Sequence, residues 1–149
     1  MGMTLDAEVR SLRQVPMFAG VDPARLKLLA FTSERATYAE GDELFALGDP
    51  SDAAYIILDG EVSVCIRAPH GPLEVARLGA NAVVGEMGVI LDSPRTATVA
   101  ATRPTVALKV KDDVFFEMLK EFPKIALAVM RDIATRLERT NQRLAEASS

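Results

Sequence analysis

The chain has 149 residues, of which 49% are apolar and 26% are charged, and its formal net charge is −4 with a pI near 5.1. These ordinary globular values exclude a disordered, collagen-like or purely coiled-coil chain, and the length suffices for one domain with a hydrophobic core. The acidic balance argues against a general nucleic-acid binder.

The cysteine and histidine content limits the chemistry and the compartment that suit this chain. Cys65 is its one cysteine, so no intramolecular disulfide is possible, and a lone thiol favours a reducing, cytoplasmic compartment. His70 is its one histidine, which argues against a His-based metal site and against a Ser-His-Asp triad. We therefore expect no metal, no cofactor and no catalytic residue.

No segment of the sequence suggests a signal peptide or a membrane span. The N-terminus, MGMTLDAEVR, lacks an apolar signal core. The longest apolar runs, 53–58 and 125–130, are far shorter than the ~20 residues that a spanning helix needs. We expect no membrane partner.

Residues 1–33 are predicted to form two short helices. The apolar residues of the first helix recur at helical spacing and are Leu5, Val9, Leu12 and Val15. After a break at Pro16, Asp22 is suited to cap a second helix with Pro23 at its first position. The apolar residues of that second helix are Leu26, Leu28, Leu29 and Phe31.

Residues 34–110 are predicted to form an antiparallel β jelly roll (double-stranded β-helix), because their hydrophobic pattern alternates and turn residues interrupt it at short intervals. Six segments have the length and composition of strands: 43–47, 53–58, 61–67, 73–78, 96–102 and 105–110. Predicted turns are Gly48-Asp49-Pro50 and Leu58-Asp59-Gly60. Pro69-His70-Gly71-Pro72 is a predicted hairpin tip with a solvated His70.

Residues 111–148 return to helical period and complete an α+β domain that is predicted to span residues 1–149. A short helix around 114–120 ends at Phe122-Pro123, and a long helix follows. The long helix carries an a/d seam with spacings of 4, 3, 4, 3 and 4, formed by Ala126, Met130, Ile133, Leu137, Thr140 and Leu144. This repeat predicts a homodimer through the C-terminal helix, although the same stripe could instead fold back over the roll.

The arginines of the long helix allow two interpretations. They are Arg131, Arg136, Arg139 and Arg143, and a DNA-facing helix would use such residues. Asp132 and Glu138 lie among them, so a solvated face is the better interpretation. After Leu144 only five residues remain, too few for a helix-turn-helix, and this chain alone is not expected to bind DNA.

The segment GEMGVILDSPRTATV, residues 85–99, interrupts the strands and carries the most chemical information. The segment begins with a glycine, which is followed by an acid in the first turn and then by apolar residues. This pattern predicts a short helix over 85–92. Ser93-Pro94 ends that helix, because a residue before proline is pushed toward extended geometry.

Strand parity predicts that Arg95 points into the roll, on the face of Val99 and its apolar neighbours. A buried guanidinium stays charged, so it needs a carboxylate or a bound anion. The backbone N–H groups of Gly85 to Gly88 at the helix start suit the same small oxyanion, and Glu86 can accept from a hydroxyl beside it. The alternative that needs no ligand is a structural ion pair between Glu86 and Arg95.

VGEMGVIL, followed by Asp92, Ser93 and PRTATV, resembles the phosphate-binding cassette of cyclic nucleotide-binding domains of the catabolite activator protein type. That cassette usually reads FGE(L/M)ALL, a few residues, then PR(A/S/T)ATV. The resemblance covers nearly the whole chain, since AEGDELFALGDPSDAAYIILDGEVSV is similar to the family's glycine-punctuated roll. The sequence departs from the pattern at Val84, where an aromatic residue is usual, and at Gly88, where alanine is common.

The resemblance implies a set of ligand-binding residues, namely Gly85, Glu86, Met87, Gly88, Arg95, Thr96, Thr140 and Asn141. Glu86 would hold the ribose 2′-hydroxyl, while Arg95 and the backbone at the helix start would hold the cyclic phosphate. Thr96 would add a phosphate or purine contact, or is an ordinary strand threonine. Thr140 and Asn141 would contact the base, with one such residue from each subunit in dimeric bacterial members, or would set coiled-coil register.

The function that the resemblance implies is a non-catalytic sensor that binds a cyclic purine nucleotide, cAMP or cGMP, and changes the packing of its C-terminal helices. Two alternatives keep the same fold: a domain of a longer transcription regulator, kinase or channel, and a ligand-free dimerisation module. A metal-dependent jelly-roll enzyme is disfavoured, because its site needs two or more histidines.

Overall fold

The computed structural model describes residues 5–148 as helices packed around a roll of short strands. The helices are α1 (Leu5–Arg13), α2 (Pro23–Thr32), α3 (Glu86–Leu91), α4 (Asp112–Glu121) and α5 (Pro123–Ser148), with a 3₁₀ turn at Pro16–Phe18. The strands are β1 (Glu34–Tyr38), β2 (Glu43–Phe45), β3 (Ala53–Asp59), β4 (Glu61–Ala68), β5 (Gly71–Gly79), β6 (Val83–Val84), β7 (Thr98–Ala101) and β8 (Thr105–Lys111).

The N-terminal helices form as the sequence predicts. The Asp22 side chain accepts a hydrogen bond from the backbone N–H of Ala24 at 3.1 Å, and Pro23 occupies the first position of α2. The buried residues of α2 lie on one face and the exposed apolar side chains of Leu28 and Phe31 on the other. Only the first of these faces joins the core.

The strands form two four-stranded antiparallel sheets, which confirms the predicted jelly roll. The order of the first sheet is β1-β8-β3-β6, and that of the second is β2-β7-β4-β5. β4 and β5 form the predicted hairpin, in which Ala68 pairs with Gly71 and the tip residue His70 is exposed. β1 and β6 lie in the predicted β region, outside the six predicted strands. The α+β fold class, with N-terminal helices and a long C-terminal helix, is also as predicted.

Two strands are shorter than the sequence pattern predicts, and one turn explains both. The predicted strand 43–47 ends at Phe45 because residues 46–49 turn, with the N–H of Asp49 donating to the carbonyl of Ala46 at 3.0 Å. The backbone of Arg95 pairs with this turn, accepting from Gly48 N–H and donating to the carbonyl of Asp49, each at 2.8 Å. The predicted strand 96–102 therefore begins only at Thr98.

α3 is inserted between β6 and β7, close to its predicted bounds. Gly85 precedes it with φ +83°, a left-handed conformation that favours glycine. Asp92 ends it in the left-handed region, and its N–H donates back to the carbonyls of the last turn.

The first sheet separates two hydrophobic clusters. Ala54, Ile56 and Leu58 of β3 pack toward the helices, whereas the alternate residues of β3 fill the interior of the roll. The helical cluster includes Leu12, Phe18, Leu26, Phe115, Ile125 and Val129. The roll cluster includes Phe45, Tyr55, Ile57, Val62, Val84 and Val99. Because both faces of β3 are buried from Ala53 to Leu58, its sequence is apolar over those residues and does not alternate.

α4 and α5 close the helical side of the molecule. α5 packs on α4 and on the 3₁₀ turn through its first turns, where Ile125 and Val129 are buried. Further along, α5 runs over β5. Of the five helices formed by residues 5–148, none is both long enough and apolar enough to cross a bilayer.

Candidate functional site

A cavity of about 240 Å³ lies where α3, α5 and the second sheet meet. Its apolar wall comes mainly from the strands and includes Phe45, Val64, Ile66, Val75, Leu78 and Val99. Its polar side chains are Glu86, Arg95, Thr96, Arg136, Arg139 and Thr140. An apolar enclosure with a few converging polar groups is the usual form of a small-molecule site.

Arg95 supplies a buried positive charge to this cavity. The residue is 4% exposed, so its predicted inward orientation is confirmed. Nη1 donates to the carbonyl of Gly85 and Nη2 to that of Ala53, both at 2.6 Å. The guanidinium carbon lies 4.0 Å from the centroid of the Phe45 ring, a cation–π contact. Nε is buried and has no hydrogen-bond partner within residues 5–148.

Arg95 forms no ion pair with any carboxylate of the described chain. The Glu86–Arg95 ion pair of the ligand-free alternative is not formed among the described residues, where Glu86 pairs with Arg136 instead. Burial lowers the pKa of Arg95, and Tyr55 and Asp52 partly oppose that shift. A guanidinium nevertheless remains charged in proteins, so this buried cation would be stabilised by an anion in the cavity.

Glu86 supplies a buried carboxylate at the first position of α3. The residue is 1% exposed, and its Oε1 accepts a hydrogen bond from Nη1 of Arg136 at 3.0 Å. Oε2 is also buried but has no partner among the residues described. Burial raises the pKa of Glu86, and the Arg136 cation opposes that shift. Oε2 can therefore accept from a hydroxyl that enters the cavity.

The interpretation of the long helix's arginines as a solvated face is wrong for Arg136, whereas Arg131, Arg139 and Arg143 are exposed as predicted. The side chain of Arg136 is 21% exposed and turns toward the roll, where it binds Glu86 and donates to the carbonyl of Val83. It also pairs with Asp132 one turn earlier, Nη2 to Oδ2 at 2.7 Å. The sequence indicates only the pair with Asp132, since an acid and an arginine four residues apart share one helix face, and it does not predict the contact with Glu86.

Two further arginines of α5 lie on the same side as Arg136. Arg139 lines the cavity, and Nη1 of Arg143 donates to the carbonyl of Glu74 on β5 at 3.1 Å. Residues 136, 139 and 143 share one face because three- and four-residue steps return to the same side of a helix. The stripe that faces the roll is thus partly basic, and the sequence analysis missed it.

The other predicted ligand-binding residues are brought together, with one exception. Those that line the cavity are Gly85, Met87, Gly88, Thr96 and Thr140. Asn141 is exposed and does not line it. Successive residues of an α-helix point about 100° apart, so Asn141 turns away when Thr140 faces the roll.

The family and the folds that the chain resembles are consistent with this site. The sequence profile of the family described as cyclic nucleotide-binding domain matches residues 35–122. The CRP-like cAMP-activated global transcriptional regulator of Mycobacterium tuberculosis is 29% identical over 136 residues, which are 91% of this chain and 61% of that protein. The chain thus spans less than two thirds of this curated relative.

Solved structures show the same architecture. The N-terminal domain of a transcriptional regulator from Streptomyces coelicolor A3(2) is 32% identical, with a TM-score of 0.68 over 89% of this chain and 95% of that one. The catabolite activator protein of Thermus thermophilus is 25% identical, with a TM-score of 0.75 over 89% of this chain and 63% of that one. The family match includes α3 and Arg95 but ends before α5.

Proposed function

The chain belongs to the cyclic nucleotide-binding domain family, and on this basis we propose that it is a non-catalytic sensor that takes cAMP or cGMP in the cavity between α3, α5 and the second sheet. The observation that carries the proposal is Arg95, a buried cation at the cavity that forms no ion pair with a carboxylate of the described residues. Two of its five N–H groups bond to carbonyls, which leaves donors for a cyclic phosphate.

The remaining groups divide between the phosphate, the ribose and the base. Gly85 has no side chain, and a Cβ there would lie 2.7 Å from Nη1 of Arg95, so glycine lets the guanidinium lie against the start of α3, where we assign the phosphate. We assign the ribose 2′-hydroxyl to Oε2 of Glu86, which is buried without a partner in the described chain. We assign Thr96 to the phosphate or the purine and Thr140 to the base, because both line the cavity and a hydroxyl can donate or accept.

The proposed output is a change in the position of α5. Glu86 is the link, because its carboxylate would bind the ligand through one oxygen while the other holds Arg136 of α5. A ligand that alters this pair changes the free-energy difference between positions of α5. The shift in population is limited by the difference in affinity that the ligand has for the two positions.

Cyclic purine nucleotides are expected to raise the melting temperature of the protein. A ligand present at 100 times its Kd adds about 2.7 kcal/mol to the free energy of unfolding, which amounts to several degrees for a chain of this size. Thermal melting with cAMP and cGMP measures the shift, and calorimetric titration gives both affinities. Ring-opened 5′-AMP is the control for nonspecific nucleotide binding. The absence of any shift at millimolar cAMP and cGMP would contradict the sensor and favour a ligand-free dimerisation module.

We further propose that two copies associate through the seam of α5. Met130, a seam residue, is 59% exposed, and Asn141 lies beside the seam, from where it would reach the base bound by a second subunit. Met130→Glu is expected to weaken dimerisation at least about tenfold, because it buries a carboxylate at an apolar interface.

Analytical ultracentrifugation of the wild type and of Met130→Glu tests the dimer. Leu127→Glu is the matched control, since Leu127 is a 43% exposed apolar residue of the same helix outside the seam, and it should leave dimerisation unchanged. For a weak specific interface we expect a dimer Kd of about 1 μM. If the wild-type protein still sediments as a monomer at a concentration of about 100 times that Kd, this proposal is excluded.

The proposal extends to compartment and partners. We expect a cytoplasmic regulatory domain, because a single cysteine suits a reducing compartment, and we expect no direct DNA binding, because a net charge of −4 opposes a polyanion. Because the chain covers only 61% of the length of its relative, a second form of the proposal is that this domain is part of a longer transcription factor, kinase or channel and regulates it. The intact mass of the natural protein decides between the two forms.

A further inference from the structure

The loop between β2 and β3, residues 46–52, contacts α3 from outside the cavity. Oγ of Ser51 donates to the carbonyl of Ser93 at 2.5 Å, and the N–H of Ser93 donates to the carbonyl of Gly88 at 3.1 Å. A Cβ added at Gly88 would overlap Oγ of Ser51 and lie 2.8 Å from its Cβ. Ser51 therefore occupies the space that any side chain at position 88 would need.

The same loop holds Arg95. Gly48 and Asp49 exchange two backbone hydrogen bonds with Arg95, each at 2.8 Å. The carbonyl of Ala53, the first residue after the loop, accepts from Nη2 of Arg95 at 2.6 Å. One short segment thus fixes the backbone and one end of the guanidinium, and through Ser51 it also contacts α3.

We infer that Ser51 is a positioning residue, which sets the distance between α3 and Arg95 by packing against Gly88. The inference rests on the proposed function, because this distance affects binding only if α3 and Arg95 hold one ligand. Binding groups must stay within about 0.5 Å of their productive geometry. A side chain at position 88 would push α3 away from the loop, and Glu86 and Gly85 would move with it.

Substitution of Gly88 separates two effects of opposite sign. Alanine is the better helix former, so Gly→Ala inside a helix ordinarily raises stability. Here the overlap with Ser51 is expected to reverse that sign. Ser51→Ala removes Oγ but leaves the Cβ of residue 51 at 2.8 Å from the added Cβ, which is still too close, whereas Ser51→Gly removes both overlapping atoms.

The test compares the wild type with Gly88→Ala, Ser51→Gly, the double variant Ser51→Gly/Gly88→Ala and the control Ser51→Ala/Gly88→Ala. Calorimetry gives the affinity for cAMP and cGMP, and NMR gives the hydrogen-exchange rate of the buried Arg95 Nε–H without ligand. Gly88→Ala is expected to weaken affinity and to speed exchange, each at least about tenfold. The Ser51→Gly double variant should return both to within about threefold of the wild type, and the Ser51→Ala control should not.

Two results would overturn the inference: wild-type affinity and exchange in Gly88→Ala, or a Ser51→Gly double variant no better than Gly88→Ala alone. The direction of the change in melting temperature is an independent test. Gly88→Ala should lower the melting temperature when Ser51 is present and raise it in the Ser51→Gly background. If the wild type binds neither nucleotide, the proposed function fails. The exchange rate of Arg95 Nε–H, which needs no ligand, then decides whether Ser51 positions α3 against Arg95.

Discussion

Replacing Arg95 by leucine is expected to weaken the binding of cyclic nucleotides at least about 30-fold, because loss of one partner from a buried, hydrogen-bonded charge pair costs roughly 2–5 kcal/mol. Leucine fills part of the same space but offers no charge and no donor to a phosphate. Calorimetric titration of Arg95→Leu and of the wild type with cAMP and cGMP measures the loss.

The matched control for this variant is Arg103→Leu. Arg103 is exposed in the turn between β7 and β8, so the substitution removes the same charge from the chain without touching the cavity. We expect Arg103→Leu to bind with wild-type affinity. We expect Arg95→Leu to fold, because removing an unpaired buried cation offsets the loss of its two hydrogen bonds. Equal affinity in Arg95→Leu and the wild type would show that Arg95 is structural.

Arg136→Ala is expected to lower the free energy of unfolding by about 3–5 kcal/mol at pH 7, the usual cost of leaving one partner of a buried ion pair alone. The uncompensated group is Glu86, which is 1% exposed and would lose the hydrogen bond at Oε1. Chemical denaturation measures this change, which is a large fraction of the stability of an ordinary domain. A decrease below about 1 kcal/mol, the value of an exposed pair, would contradict the buried pairing.

The cost of Arg136→Ala should depend on pH. Burial raises the pKa of Glu86 above its ordinary value of 4.5, and the loss of Arg136 removes the main opposing charge, so the pKa rises further. A carboxyl whose folded pKa is raised stabilises the folded state below pH 4.5, and that stabilisation is lost as pH rises through the folded pKa. The destabilisation by Arg136→Ala should therefore be smaller at pH 4 than at pH 7.

The control for this prediction is Glu86→Gln in the Arg136→Ala background. An amide cannot ionise, so the double variant should recover part of the lost stability at pH 7 and lose the extra pH dependence. If the double variant is no more stable than Arg136→Ala at both pH values, the destabilisation does not come from an isolated Glu86 carboxylate.

The parts of the site that depend on local pattern could be predicted from the sequence. Alternation along the predicted strand indicates the buried face for Arg95, although β7 begins only at Thr98 and the backbone of Arg95 is held by the turn at 46–49. The start of α3 could be placed at Gly85 because a glycine followed by an acid and apolar residues marks a helix N-terminus. Asp22 and Pro23 of α2 are a similar case, since a cap involves only neighbouring residues.

The parts that depend on packing between distant segments could not be predicted. The rotation of α5 about its axis, which turns Arg136 inward and Asn141 outward, follows from its packing on the roll rather than from its own sequence. The contact between Ser51 and Gly88 joins segments 37 positions apart, a separation at which no periodicity gives information. The late start of β7 has a similar cause, because the distant turn at residues 46–49 takes up the backbone hydrogen bonds of Arg95.

The separation of the two hydrophobic clusters by the first sheet has a consequence for how such a domain diversifies. Residues that pack on opposite sides of β3 share few neighbours, so substitutions in α1, α2 and α4 leave the lining of the roll largely undisturbed, whereas α5 contributes to that lining. Selection can therefore remodel these three outer helices to suit new regulatory targets while the recognition chemistry on the far side of the sheet is inherited intact.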